Sequence, residues 1–447
     1  MRGVDAVNRK LLFFITVLSL IFLMNGCTLM TVDEMYYPPK RSEEFNHLQS
    51  AIDSAMKNLD YCAPIAGENQ QTVQMADLDG DGIDEYLLFA RGNSEKPMQI
   101  LIFSKMEEAY QLSARIESNG FAFEQVEYVP IDDRPGFEIV VGRQVGDQIP
   151  RSLSVYSFAR GEPQQILSAN YSKFLTCDLD QNGKTELMLI RPDYSNADNA
   201  VVLRYWFENG MMERSQEAEL SGTADAVKRI MVSKLHGGEP AVYVASAVNE
   251  SAVVTDIFAM KDHKFTNISF SNDSGTSVST LRNYYVYAVD IDHDGILELP
   301  SLITMKPYQS QRSGDQQYLI RWFAMDIEGN EIDKRYTYHN FLNGWYLELD
   351  NQWANHISVH QEGAGTYIFC VWDENFETAV PVFRIYALTG TDRDTAAVEN
   401  NRFVLHRTEG VVYAAKMDAA AVGFDITQEM LIARFHLIHQ DWKTGET

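Results

Sequence analysis

Short apolar runs rich in β-branched and aromatic residues recur along the chain, each closed by a polar turn. One register holds residues 100–104, 153–157, 202–206, 254–258, 318–322 and 367–371. An earlier register, 86–90, 139–142, 187–190 and 241–245, is apolar at consecutive positions, as a strand buried on both faces requires. Asn209-Gly210 and the turn at 328–330 are hairpin chemistry. Each unit therefore reads as strand, turn, strand, turn, strand, with a period of about 50–57 residues. Fainter copies begin near Trp345 and near Phe403.

Two segments follow a helical period instead. Leu48, Ile52, Ala55, Met56 and Leu59 form one stripe within 45–59. A capping box at 425–429, with Thr427 or Asp425 at the cap, precedes a predicted helix over 430–442, with Leu431, Phe435, Ile438 and Trp442 on one side. Both helices are expected to pack on the rim of the β structure. Repeats of this length with several short strands predict an all-β fold, a β-propeller with each unit one blade. Seven blades fit the length best, with six or eight open.

Chemistry enters at the turns. Residues 77–85, 178–186 and 290–298 each place oxygen side chains at positions one, three, five and nine, with glycine at six. The sets are Asp77, Asp79, Asp81 and Glu85; Asp178, Asp180, Asn182 and Glu186; Asp290, Asp292, Asp294 and Glu298. Position seven adds a backbone carbonyl from Ile83, Lys184 or Ile296. Alternate oxygens with a sharp turn wrap a hard cation, and Ca²⁺ takes six to eight oxygens. Two to three calcium sites are expected. The units at 129–138 and 234–240 keep their turn residues but read as having lost the ligands.

These loops resemble the calcium loops of FG-GAP/VCBS repeats, as in the integrin-alpha-type seven-bladed propeller. Three strong and about four weak units cover roughly residues 65–420. No Phe-Gly…Gly-Ala-Pro signature precedes the loops. The whole layout is also similar to lipoproteins of Gram-positive, mostly anaerobic bacteria, a resemblance that brings no activity with it.

The N-terminus supports export. Arg2, Arg9 and Lys10 precede an apolar stretch at 11–24, too short to span a membrane comfortably. It ends in Leu23-Met-Asn-Gly-Cys27, which resembles a bacterial lipobox with Cys27 lipidated. An uncleaved anchor is the alternative. Residues 1–26 are then a signal peptide, 27–41 a tether and 42–447 one propeller domain with flanking helices. The expected location is the extracytoplasmic face of the cell membrane, held by the lipid. Cys62, Cys177 and Cys370 are too few and too separated for a disulfide framework.

The chain carries 63 acidic against 37 basic residues, a formal charge of −26, which disfavours nucleic acid and anionic membrane surfaces as partners. EF-hands are excluded, because position twelve is Leu88, Leu189 or Ser301 and the flanks are strands. Gly183-Lys-Thr185 is not a P-loop, since Asp178 stands where that motif needs glycine. The pairs His356/His360 and His436/His439 lack metal-site context, and no Gly-x-Ser-x-Gly elbow places a nucleophile. Trp206, Trp322 and Trp372 read as blade packing rather than sugar platforms. The reading is a monomeric, non-enzymatic, calcium-stabilised binding or adhesion module for an extracellular protein or glycan. The alternative is a calcium-dependent polysaccharide lyase or glycosidase. The long polar loop around 306–316 is the expected contact with the partner.

Overall fold

The computed structural model describes residues 43–438 except 108, 147–150, 160, 194–198, 251, 285, 308–316 and 373–378. Cys27 with its lipobox and tether, the loop 308–316, His439 and Trp442 lie outside the described residues. The described chain is mostly β, arranged in six antiparallel sheets. The first holds Val73–Ala76, Glu85–Arg91, Met98–Met106 and Ala109–Ser118, with Asp60–Tyr61 added to the far end of Glu85–Arg91. The second is Ala122–Val129, Glu138–Gln144, Arg151–Ala159 and Glu162–Tyr171. The third, Lys173–Cys177, Glu186–Pro192, Ala200–Glu208 and Met211–Leu220, and the fourth, Val227–Lys234, Pro240–Ala247, Val253–Lys261 and Lys264–Asn267, repeat that meander.

Consecutive apolar residues in the second strand of each sheet feed two different cores. In the third sheet Leu187 and Leu189 pack toward the second sheet, while Met188 and Ile190 pack toward the fourth. Side chains alternate faces along a strand, so an unbroken apolar run means burial on both sides. The same holds for Val242 and Val244 against Ala241 and Tyr243. Each pair of consecutive sheets shares one buried apolar cluster, from the first and second through the fifth and sixth. The outer face of the first sheet is covered by the N-terminal helix Glu43–Ala55, whose Leu48 and Ile52 meet Leu88, Leu101 and Phe103. The turn that follows the helix closes at the left-handed Asn58 (φ 69°).

A β-bulge falls at the same register of the third strand in the first three sheets, at Ile102/Phe103, Val155/Tyr156 and Arg204/Tyr205, and on the second strand of the fifth sheet, at Trp322/Phe323. The hairpin at 208–211 has positive φ at both Asn209 and Gly210, the twist-matched turn its sequence predicts.

The last units depart from the repeat. Trp345–Leu349, read from sequence as opening a new unit, instead pairs with Glu331–Asn340 on the outside of the fifth sheet, Leu299–Thr304, Tyr318–Met325 and Glu331–Asn340. Phe403–Arg407, read as opening the last unit, joins the sixth sheet beside Val412–Met417. That sheet also holds Ile357–Glu362, Thr366–Val371 and Val380–Leu388.

The predicted helix over 430–442 is a correction. Thr427 caps a helix of only Gln428–Arg434, its Oγ1 accepting from Met430 N at 3.2 Å. Phe435–Leu437 then turns to strand and pairs with Trp345–Leu347, so His436 lies on a strand and not on a helix. The cause is an open sheet edge: Trp345–Leu349 has donors and acceptors to satisfy, and the following segment satisfies them. Arg434 fixes the junction by two bonds to Asp350, at 2.7 and 2.8 Å. Among the described residues no helix is long and apolar enough to cross a membrane.

Candidate metal centres

The three acidic loops adopt one backbone conformation. The fourth residue is left-handed in each, at Gly80 (φ 76°), Gln181 (φ 59°) and His293 (φ 62°). The sixth is the left-handed glycine, at Gly82, Gly183 and Gly295 (φ 84–85°). The first aspartate organises the turn from inside. Asp77 accepts from Gly80 N at 2.7 Å and Gly82 N at 3.0 Å. Asp178 accepts from Asn182 N and Gly183 N, and Asp290 from Asp294 N and Gly295 N.

The ninth residue reaches back beneath the loop. Glu85, Glu186 and Glu298 are buried, and each accepts the backbone N–H of position two: Leu78 at 2.9 Å, Leu179 at 2.6 Å and Ile291 at 3.0 Å. Burial pushes each of these carboxyls up to about 7. Neighbouring Asp79 and Asp81 add to this at Glu85, and Asp292 and Asp294 at Glu298. A carboxyl held among like charges in a desolvated site is one that a cation stabilises as the anion.

Ligand atoms of Asp77, Asp79 and Glu85 lie within 4.8 Å of one another, as do those of Asp178, Asp180 and Glu186, and of Asp290, Asp292 and Asp294. Asp81 and Asn182 instead turn to their own loop, each accepting from the backbone two residues on, at 2.7 Å from Ile83 N and 2.8 Å from Lys184 N. These clusters can hold a metal ion.

The loops meet along one end of the first three sheets. Phe137 N donates to Asp77 O at 3.0 Å and Thr185 N to Pro130 O at 2.7 Å. A Cβ on Gly80 would stand 2.3 Å from Pro135 Cβ, and one on Gly136 (φ 99°) 2.6 Å from Leu78 O. Both positions therefore need glycine for space as well as for φ.

The loops differ in what balances their charge. In the second sheet Asp132 and Glu138 keep positions three and nine, but Pro130 and Arg134 stand at positions one and five, so two of the four oxygen side chains are missing. Glu138 accepts from Ile131 N at 2.6 Å. Arg134 donates its N–H and Nε to Asp132, at 2.7 and 2.9 Å, and its terminal nitrogen also bonds Asp132. In the third sheet Arg204 donates to Asp180 at 2.7 Å and also bonds Glu186. Its guanidinium lies 4.5 Å over the ring of Trp206, which gives that half-buried tryptophan a packing role. A cavity of about 620 Å³ opens here, lined by Asp180, Arg204, Trp206, Glu239 and Asp262 among others.

In the fifth sheet Lys334 reaches Asp294 at 2.5 Å, while Asp292 Oδ1 and Glu298 Oε1 are buried without a hydrogen-bond donor. Among the described residues no ion pair reaches the loop 77–85. Position seven, expected to offer a carbonyl, is Ile83 or Ile296 in these two loops and Lys184 in the third sheet, where the side chain pairs with Asp133. Of these participants Glu138 was legible as an acid opening an apolar strand. Arg204 and Lys334 lie 18 and 36 residues past the ends of the loops they serve, and no local spacing marks them.

No family model and no curated protein matches this chain. Solved structures match at low similarity. The exotype rhamnogalacturonan lyase YesX shares 14% identity, with 75% of this chain and 70% of that one covered, at a TM-score of 0.31. MPT-1, a GDP-Man-dependent mannosyltransferase from Leishmania mexicana, shares 9% over 57% and 82%, at 0.23. A Lactobacillus plantarum protein shares 9% over 71% and 85%, also at 0.23. Likeness at this level carries no argument about activity.

The remaining sequence candidates are placed as follows. His356 lies in the turn before Ile357–Glu362 and His360 on that strand. Trp322 is fully buried and donates to Thr337 Oγ1 at 2.7 Å, and Trp372 is half-buried beneath Lys306. Cys62, Cys177 and Cys370 are free thiols, and burial pushes Cys177 and Cys370 up to about 12.

Proposed function

We propose that this chain is a lipid-anchored, extracytoplasmic binding module, a calcium-stabilised β-propeller of the FG-GAP/VCBS kind that recognises a protein or glycan. The observation that carries the metal is the pair of buried oxygens, Asp292 Oδ1 and Glu298 Oε1, left without donors inside an acidic loop. Buried polar atoms are ordinarily paired, and a hard cation with oxygen ligands pairs these. Asp77, Asp79 and Glu85 with the Ile83 carbonyl offer the same chemistry in the first sheet. Face-to-face meanders with a shared core between neighbours support a propeller ring.

A binding role follows from where the carboxylates are spent. Each loop glutamate is buried under its own strand and holds the backbone of position two. That chemistry stiffens loops rather than attacking a substrate. The anchor at Cys27 would hold such a module at the membrane surface.

The test is a glycan array and a cell-surface protein capture, run beside assays for release of reducing ends and unsaturated uronides from polysaccharides. Saturable binding without product is expected. Turnover of a polysaccharide would replace this reading with the lyase or glycosidase one.

A further inference from the structure

We propose that Arg204 and Arg134 are resident cations, so that the loops 178–186 and 130–138 close without metal and only 77–85 and 290–298 draw calcium. The inference rests on the calcium reading above for the last two loops, and on charge geometry for the first two.

At 178–186 the acidic side chains face a guanidinium that is itself buried, its side chain only 4% exposed. Arg204 bridges positions three and nine, the two carboxylates that an ion in this loop would share. A planar, permanently charged fork suits two carboxylates at once, and it is tethered, so no concentration term opposes it. The Trp206 ring lies beneath it, its centroid 4.5 Å from the guanidinium carbon. By strand register Trp206 takes the place that Ser104 and Ser157 hold in the first two sheets, where the hydroxyl hydrogen-bonds the loop glutamate. In the third sheet that donor is gone, and the tryptophan carries the guanidinium that replaces it. Calcium entering here would displace Arg204 and leave a buried charge unpaired, which is strongly unfavourable.

At 130–138 the substitution lies within the loop. Pro130 removes the first carboxylate and Arg134 stands where the other loops carry Asp81, Asn182 or Asp294. Its guanidinium bonds Asp132, whose side chain is 1% exposed, and Ser157.

The other two loops differ in kind. Lys334 is a single point charge on Asp294 and leaves Asp292 Oδ1 and Glu298 Oε1 without donors. The loop 77–85 has four aspartates and a glutamate, with no basic residue inside it.

The experiment counts calcium bound per full chain by calorimetric titration, with equilibrium dialysis as a check. The wild type is expected to bind two ions, Asp79→Asn one, and Arg204→Met three. Three ions in the wild type, or no gain on Arg204→Met, would overturn the inference and leave the calcium reading standing. Arg204→Gln is counted instead where the methionine variant does not fold. If the wild type binds none, the calcium reading fails, and melting in EDTA decides the role of Arg204 separately. A resident cation predicts that Arg204→Met lowers the melting temperature less in a Glu186→Gln background than in the wild type. Equal losses in both backgrounds would overturn it.

Discussion

A glutamate at the ninth position of each loop does two things at once. It ends the loop by holding the N–H of position two, and it opens the next strand by being buried there. Its spacing from the first aspartate was visible in the sequence because both roles are local. A balancing cation lies inside the loop only in the second sheet, where Arg134 bonds Asp132. Arg204 arrives through strand pairing, and pairing register is not written at any fixed offset.

His339 is another residue whose state is set by distant packing. Its ring stacks on Tyr346 at 5.0 Å, beside Trp322 and Phe341, with both ring nitrogens out of contact with solvent. Burial pulls its basicity down to about 3, so the folded protein holds it neutral while the unfolded chain takes a proton near 6.5. The unfolded state therefore binds more protons between these values. Stability from this residue is full above pH 6.5 and falls as pH drops toward 3, by at most about 1.4 kcal/mol per pH unit. Urea denaturation of His339→Phe against wild type should show a shallower acid limb in the variant between pH 6.5 and 4. Parallel limbs would contradict the assignment.

At the scale of elements, β-branched runs marked strands well, and all six runs of the later register lie in strands. The cap at Thr427 was equally legible. What failed was the length of the last helix, because Leu431, Phe435 and Ile438 satisfy a helical stripe while Phe435 and Leu437 satisfy strand alternation. The open edge of Trp345–Leu349 decided between them. Phe435 is buried, stacked on Trp345 at 5.5 Å and set against Tyr413 at 5.2 Å. Phe435→Ala should cost about 3–5 kcal/mol in chemical denaturation, as buried aromatic truncations do. Leu342→Ala, at a side chain 77% exposed, should stay within about 0.5 kcal/mol. A comparable loss at both positions would mean that the C-terminal strand is not docked as described.

At the scale of the molecule, each of the second to fifth sheets buries one face on the sheet before it and the other on the sheet after it, so the stack is held by neighbours. The period of the apolar runs made that arrangement legible. The count of units was less so, because Trp345–Leu349 and Phe403–Arg407 were recruited to existing sheets instead of founding new ones. The acidic loops sit where consecutive units touch, as Phe137 and Thr185 show by their bonds across the junctions. A cation at one loop therefore stiffens a contact between sheets as well as a turn.

The most direct test of the calcium claim is the melting temperature of the folded chain in EDTA and in rising calcium. An ion that binds only the folded state adds RT ln(1 + [L]/Kd), about 1.4 kcal/mol per site at ten times Kd. With extracellular-type affinities of roughly 10⁻⁴–10⁻³ M, the midpoint should climb through millimolar calcium by several degrees. Asp79→Asn and Asp292→Asn should each remove part of the rise. A melting temperature that is the same in EDTA and in saturating calcium would contradict the account.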